Sequence, residues 1–165
     1  MLRIGLILAA FVLAADQASK WYMLFVLGLP VVGHVPLLAI GPFGFDLTMV
    51  WNRGVTFGLL AGDSAWSQAL LGALALGIVG FLLRWMARAE NRVTALALGA
   101  VVGGAIGNVI DRARFGAVAD FFDAHAWGWH WYVFNVADAA IVLGVLALVT
   151  DALFRPSPKA KESAS

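Results

Sequence analysis

The sequence predicts an all-α membrane protein with four transmembrane helices and a small extracytoplasmic loop platform that contains β-structure. Composition is the first reason, because 62% of the 165 residues are hydrophobic, 13% are charged and the mean hydropathy is +0.87. Soluble domains are nearer half apolar and a quarter charged. The second reason is that four apolar runs approach the roughly 20 residues that a helix needs to cross a bilayer. An ordinary soluble domain is therefore excluded.

The chain is predicted to form one domain, residues 1–154. Its expected spans cover residues 4–27, 65–85, 93–111 and 132–152. The first run also resembles a cleavable signal peptide, because Arg3 precedes it and Val12-Leu13-Ala14 could be a cleavage site. More apolar chain follows directly after the polar residues 16–20, which favours a retained helix. Residues 155–165 are rich in proline, lysine and serine, and we expect a disordered cytoplasmic tail there.

Lysines and arginines predict the orientation in the membrane. Seven would lie on the side of the termini, namely Arg3, Arg84, Arg88, Arg92, Arg155, Lys159 and Lys161. Four would lie on the other side, namely Lys20, Arg53, Arg112 and Arg114. Because cytoplasmic loops carry more basic residues, both termini are predicted to be cytoplasmic. The net charge of +1 gives no reason to expect a nucleic-acid partner, and the chain contains no cysteine. We expect a monomer in contact with membrane lipid.

Two outer segments connect the spans. In the first, Phe45, Leu47, Met49 and Trp51 alternate with less apolar residues, a period of two that predicts a strand. The second, residues 115–131, is crowded with phenylalanine and tryptophan. Aromatic residues at headgroup depth commonly anchor a protein in the membrane interface, and the alternative is a lid over a lipid-bearing substrate.

The third predicted helix carries Gly99, Gly103 and Gly107 at a spacing of four residues. Small residues on one face let helix backbones approach closely in lipid, so helix packing is the expected role. Gly104 could also clear space next to a ligand.

Polar residues recur at helical spacing near the outer ends of the spans. Asp16 and Lys20 share one helix face, as do Asn108, Asp111 and Arg112 on the third helix and Asn135 and Asp138 on the fourth. With a helix beginning at residue 132, Asp138 would lie about 10 Å below Trp131. A polar cluster inside an apolar bundle predicts a functional site.

Asp120 and Asp138 are the candidate reactive pair. Two carboxyl groups a few ångströms apart in a low dielectric share one proton. The ionised member can then take a proton from water, and the protonated member can polarise a carbonyl and protonate the leaving nitrogen. This chemistry hydrolyses a peptide bond without a metal or other cofactor, and we expect neither.

Other chemistries have little support in the sequence. No HExxH or GxSxG motif is present, and His34, His125 and His130 lack the spacing of metal ligands. A proton-coupled transporter with two membrane carboxylates is the main alternative. An assembly subunit that uses the glycine face is a third.

Five blocks, in order along the chain, carry a resemblance to a known family. They are Asp16-Gln-Ala-Ser-Lys20, Asn52-Arg-Gly54 followed by Val55-Thr-Phe57-Gly, Gly103 to Arg112, Gly116-Ala-Val118-Ala-Asp120-Phe121, and Phe134 to Ile141. Together they resemble the lipoprotein signal peptidase, or signal peptidase II, family. Arg53 and Thr56 occupy variable places in the second block, and Ala119 stands where a β-branched residue is common.

The resemblance implies an aspartyl endopeptidase of the bacterial inner membrane. Its substrates would be prolipoproteins with diacylglycerol on a cysteine, cut just before that cysteine, and globomycin would be expected to inhibit it. Asp120 and Asp138 fall on the catalytic dyad of the family. The positions implied to bind substrate or inhibitor or to shape the site are Asn52, Gly54, Gly104, Asn108, Asp111, Arg112, Val118, Asn135 and Ala137. Asp16 and Lys20 would have a structural or supporting role.

Overall fold

Four long apolar helices dominate the computed structural model, which describes residues 1–54 and 65–154. The candidate spans are Leu2–Val26, Trp66–Ala87, Arg92–Phe115 and Val136–Phe154, so the prediction of four spans is confirmed by length and composition. The predicted tail, residues 155–165, and the Val55-Thr-Phe57-Gly part of the second block lie outside the described residues.

The first span consists of helix α1 (Leu2–Trp21) and a π-helical turn (Tyr22–Val26), and a short helix α2 (Leu29–Val32) follows it. The remaining spans are α3 (Ala65–Ala87), α4 (Arg92–Phe115) and α5 (Val136–Phe154). Helix α5 begins four residues later than the predicted span. The residues directly before it are not helical, and Phe134 forms a β-bridge with Phe122.

Helix α4 lies at the centre of the bundle and packs against α1, α3 and α5. Its glycines allow these contacts, because a Cβ added at Gly103 would lie 2.5 Å from the carbonyl oxygen of Ala9 in α1. On the α5 side, a Cβ at Gly104 would lie 2.5 Å from the carbonyl oxygen of Ala137. The space at Gly104 is therefore filled by α5 and not by a ligand. Close packing of backbones is what small residues provide in lipid.

The fold is not all-α, which corrects the predicted class. An antiparallel sheet has the order β1-β2-β3-β4, with β1 His34–Ile40, β2 Phe43–Asn52, β3 Val118–Ala126 and β4 Trp129–His130. Strand β2 confirms the predicted strand around residues 45–51. Strands β3 and β4 come from the aromatic segment, in which the adjacent Phe121 and Phe122 hid the period of two.

The sheet and the bundle meet at one end of the molecule. Gly116, in the left-handed region at φ 68°, ends α4 and turns the chain into β3. Leu29, Leu47 and Phe121 form a small buried core beneath the sheet. The first residues of β3 are consequently held against the ends of α4 and α5, where the polar motifs converge.

Candidate active site

Asp138 lies in the first turn of α5, where it takes part in a reciprocal cap. The Asn135 side-chain oxygen accepts a hydrogen bond from the backbone N–H of Asp138 (2.9 Å), and Asp138 Oδ2 accepts one from the backbone N–H of Asn135 (3.3 Å). This is the geometry of a capping box, in which two unpaired backbone donors are satisfied. The predicted depth of Asp138 assumed a helix from Tyr132, and that helix start is wrong, because α5 begins at Val136.

Asn135 also holds the second carboxyl group. Its Nδ2 donates to Asp120 Oδ1 at 2.7 Å, and Asn52 Nδ2 donates to Asp120 Oδ2 at 3.0 Å. Asp120 is 1% exposed and Asn135 is fully buried. One asparagine thus contacts both carboxyl groups, so the structure brings Asp120 and Asp138 to the same place.

Asn108 fixes the other side of Asp138. Its Nδ2 donates to Asp138 Oδ1 at 2.8 Å, while its Oδ1 accepts from Lys20 Nζ and from Asn135 Nδ2, each at 3.2 Å. Because Lys20 can only donate, it holds the amide of Asn108 with the nitrogen towards Asp138.

Lys20 itself is paired with two buried carboxylates. Its Nζ lies 2.9 Å from Asp16 Oδ2 and 2.7 Å from Asp111 Oδ2, and the Lys20 side chain is 3% exposed. The two carboxylates also accept backbone donors, Asp16 from Ala137 N at 3.0 Å and Asp111 from Ala119 N at 3.2 Å. The predicted pairing of Asp16 with Lys20 is confirmed, and the group joins α1 to the beginnings of α5 and β3.

The remaining predicted positions support this arrangement. Gly54 N donates to Asn52 Oδ1 at 3.2 Å, Val118 pairs with Asn52 across the strands, and Arg112 Nη1 donates to Asn108 O at 3.3 Å. Gln17 was not predicted as a site residue, although its Nε2 donates to both Asp16 and Asp111 at 3.1 Å. Its position inside the first motif, beside Asp16, was the available signal.

Burial and charge determine the protonation of Asp120. Loss of solvent is the larger cause and the neighbouring Asp138 the next, and they raise the pKa of Asp120 from 3.8 to about 7. The hydrogen bonds from Asn52 and Asn135 and the charge of Lys20 oppose this rise only in part. At neutral pH Asp120 can therefore retain its proton beside Asp138.

Two clefts open next to these groups. One of about 330 Å³ is lined by Trp131, Phe134 and Asp138, and one of about 400 Å³ is lined by Trp51, Asn52 and Trp131 among others. Trp131 belongs to both. Within residues 1–54 and 65–154, no three His, Asp or Glu side chains are arranged to hold a metal ion.

Comparison with known proteins places the chain in a family. Residues 8–154 match the family model described as signal peptidase (SPase) II. The lipoprotein signal peptidase of Methylorubrum extorquens (strain PA1) is 51% identical over 96% of this chain and 90% of the relative. That of Nitrobacter hamburgensis is 44% identical over 97% of each chain.

Solved structures agree with this assignment. Two bacterial membrane enzyme structures superpose with TM-scores of 0.74 and 0.75, at 25% and 26% identity, over 93% of this chain. Nothing in these comparisons supports the transporter alternative. The chain belongs to the signal peptidase II family and is a membrane peptidase that cleaves lipoprotein precursors.

Proposed function

We propose that Asp120 and Asp138 are the catalytic pair of this peptidase. The observation that carries the proposal is the side chain of Asn135, which is hydrogen-bonded to Asp120 and forms the reciprocal cap with Asp138. No lysine, arginine or histidine of the described ranges forms an ion pair with either carboxyl group. Burial and mutual repulsion then favour one shared proton.

The partners of each group suggest the division of roles. Asp138 lies at the amino-terminal end of α5 and accepts from Asn108 and Asn135, all of which favour a negative charge. Asp120 has the raised pKa and holds the proton. Asp138 takes a proton from a water molecule, which attacks the scissile carbonyl, while Asp120 polarises the carbonyl oxygen and later protonates the leaving nitrogen.

The substrate is a prolipoprotein with a diacylglyceryl-modified cysteine, cut before that cysteine. The family supports this proposal, as does the position of the site at the end of a lipid-facing bundle, which a membrane-anchored peptide can reach within the bilayer plane. Globomycin occupies the same site and inhibits. The protein acts as a monomer.

The orientation follows from the basic residues, with both termini cytoplasmic and the sheet and the site on the extracytoplasmic side of the inner membrane. Because the chain contains no cysteine, single cysteines can report this. A membrane-impermeant maleimide should label Trp129→Cys in intact spheroplasts and label Arg88→Cys only after lysis. The reverse pattern would contradict the orientation.

The catalytic proposal is tested by Asp120→Asn and Asp138→Asn, which preserve shape but remove the exchangeable proton. Each variant should lose at least about 1,000-fold in kcat on a diacylglyceryl propeptide in detergent micelles, in line with the loss of an essential acid or base. Cleavage is followed by mass spectrometry, and thermal unfolding shows that the variants fold.

Asp123→Asn is the matched control, since Asp123 lies three residues further along β3 and is paired with His130. It should retain cleavage and globomycin inhibition. Normal turnover by Asp120→Asn or Asp138→Asn would refute the assignment.

A further inference from the structure

A groove between α3 and α4 lies outside the clefts already described. Its volume is about 700 Å³, and small residues line most of it, among them Ala69, Gly72 and Ala73 of α3 and Ala113 of α4. Residues 69, 72, 73 and 76 lie on one helix face, so the groove follows α3 lengthwise along the membrane-spanning region. A smooth apolar channel of this kind suits an unbranched hydrocarbon chain.

Two polar side chains, Gln68 and Arg112, also line the groove. Gln68 is 8% exposed, and its Nε2 donates to the carbonyl oxygen of Arg53, which fixes the orientation of the amide. Its Oε1 is buried, and so is Nε of Arg112. Within residues 1–54 and 65–154 neither atom has a hydrogen-bond partner.

An unsatisfied buried polar atom costs about 1–3 kcal/mol, so such atoms commonly have a partner that is absent from the protein alone. Here the groove offers one acceptor, Gln68 Oε1, and one donor, Arg112 Nε–H. A complementary ligand has an N–H donor and a carbonyl acceptor close to a hydrocarbon chain. A diacylglyceryl-modified cysteine has its own peptide N–H, ester carbonyls and acyl chains.

The groove is also connected to the site. Arg112 Nη1 donates to the carbonyl oxygen of Asn108, whose side chain holds Asp138. The same guanidinium is within electrostatic reach of Asp120 and Asp138. A ligand at Arg112 would therefore lie next to the peptide bond that the carboxyl groups act on.

We infer that the α3–α4 groove binds one acyl chain of the lipid-modified substrate, with Gln68 and Arg112 recognising the polar part of the modified cysteine. This inference rests on the proposed diacylglyceryl substrate. It adds a role for Gln68 that no other observation assigns, that of a specificity-determining residue.

Gly72→Leu is the sharpest test, because a Cβ added at Gly72 meets no other atom within 4 Å and the larger side chain can enter the groove. Gly77→Leu is the matched control, since Gly77 has equal free space on the same helix but does not line the groove. Neither substitution should lower the thermal stability, which is measured for both.

Binding is measured in an Asp120→Asn background, so that cleavage does not interfere. Two fluorescent propeptides are used in the same micelles, with dioctanoylglyceryl or dipalmitoylglyceryl on the cysteine. The unmodified groove should favour the longer chains at least about threefold, because each extra CH₂ group packed against the groove wall adds dispersion contacts that the micelle interior does not match. Gly72→Leu should abolish most of this preference, and Gly77→Leu should retain it.

Gln68→Met supplies an independent readout. It should weaken the binding of both propeptides by a similar factor and leave the preference for chain length intact. Unchanged chain-length preference in Gly72→Leu would overturn the inference. The inference would also be overturned if ordinary phospholipid fills the groove. Gly72→Leu would then change the lipid that co-purifies with the protein but not its affinity for the propeptides. Because the assay requires no cleavage, its failure is distinguishable from a failure of the catalytic pair.

Discussion

Asp120 and Asp123 lie three residues apart on strand β3, yet their partners differ in kind. Asp120 accepts hydrogen bonds from the neutral side chains of Asn52 and Asn135. Asp123 accepts from Thr48 and pairs with His130, whose side chain is 56% exposed. Burial alone would raise the pKa of Asp123, but the hydrogen bonds from His130 and Thr48 and the charges of His130 and His125 outweigh it and lower that pKa. The pKa of Asp120 rises instead, to about 7.

The comparison shows how a protein can keep a proton on a buried carboxyl group. A strong cation is present nearby, but Lys20 is paired with Asp16 and Asp111. Its charge offsets the pKa rise of Asp120 only in part, and it orients Asp138 through the amide of Asn108. Neutral amides hold the two carboxyl groups in place and lower the pKa of Asp120 only in part, so that Asp120 keeps the proton that the proposed mechanism requires.

Lys20→Met is expected to have the largest effect on stability. The substitution leaves Asp16 and Asp111 buried without their cation, a change that typically costs about 3–5 kcal/mol. Thermal unfolding in detergent measures it. Arg88→Met is the control, because Arg88 is exposed in the turn directly after α3, and the unfolding temperature of this variant should be nearly unchanged. A small change for Lys20→Met, with lost turnover, would instead assign Lys20 to the chemistry.

Asp120→Asn is expected to stabilise the protein at alkaline pH. The folded-state pKa of Asp120, about 7, lies above the ordinary value of 3.8. Well below pH 3.8 the group is protonated in both the folded and the unfolded state and contributes no difference. As the pH rises towards 7 the unfolded state loses the proton first, so the wild-type protein loses stability, by a few kcal/mol at pH 8.

The measurement compares unfolding temperatures of Asp120→Asn and the wild type at pH 4 and pH 8. The variant should be more stable at pH 8, and the difference should fall below about 1 kcal/mol at pH 4. Equal stability at both pH values would mean that the partners of Asp120 stabilise its ionised form after all.

Local patterns in the sequence were sufficient to predict the spans, strand β2 and the Asp16–Lys20 pair. Hydropathy could not locate the beginning of α5, because Tyr132, Val133 and Phe134 are as apolar as the helix that follows. The signature of the cap, Asn135 followed three residues later by Asp138, was present in the sequence and would have placed the helix start correctly.

Local sequence patterns cannot predict contacts between elements that are far apart in the chain. Asn52 and Asp120 are 68 residues apart, and only the pairing of β2 with β3 shows that the amide of one reaches the carboxyl of the other. Resemblance to the family named the positions without giving these hydrogen bonds. Likewise, the Gln68 and Arg112 atoms that lack a hydrogen-bond partner among the described residues depend on how α3 packs against α4.

Asp123→Asn should have the smallest effect, less than about 1 kcal/mol at pH 7, because its partner His130 is more than half exposed to solvent. Since the folded-state pKa of Asp123 is lowered, its contribution is fully present at pH 7 and is lost only as the pH falls through that lowered pKa. Asp46 lies directly opposite Asp123 across the strands, and removal of one of two like charges offsets part of the loss. Unfolding in 0.1 M and 1 M salt, with exposed Glu90→Gln as the control, measures the effect. A loss of stability as large as that of Lys20→Met would show that the exposure of the basic partner does not determine how much each carboxylate contributes. The contribution of Asp123 would then have to come from the pairing of the strands.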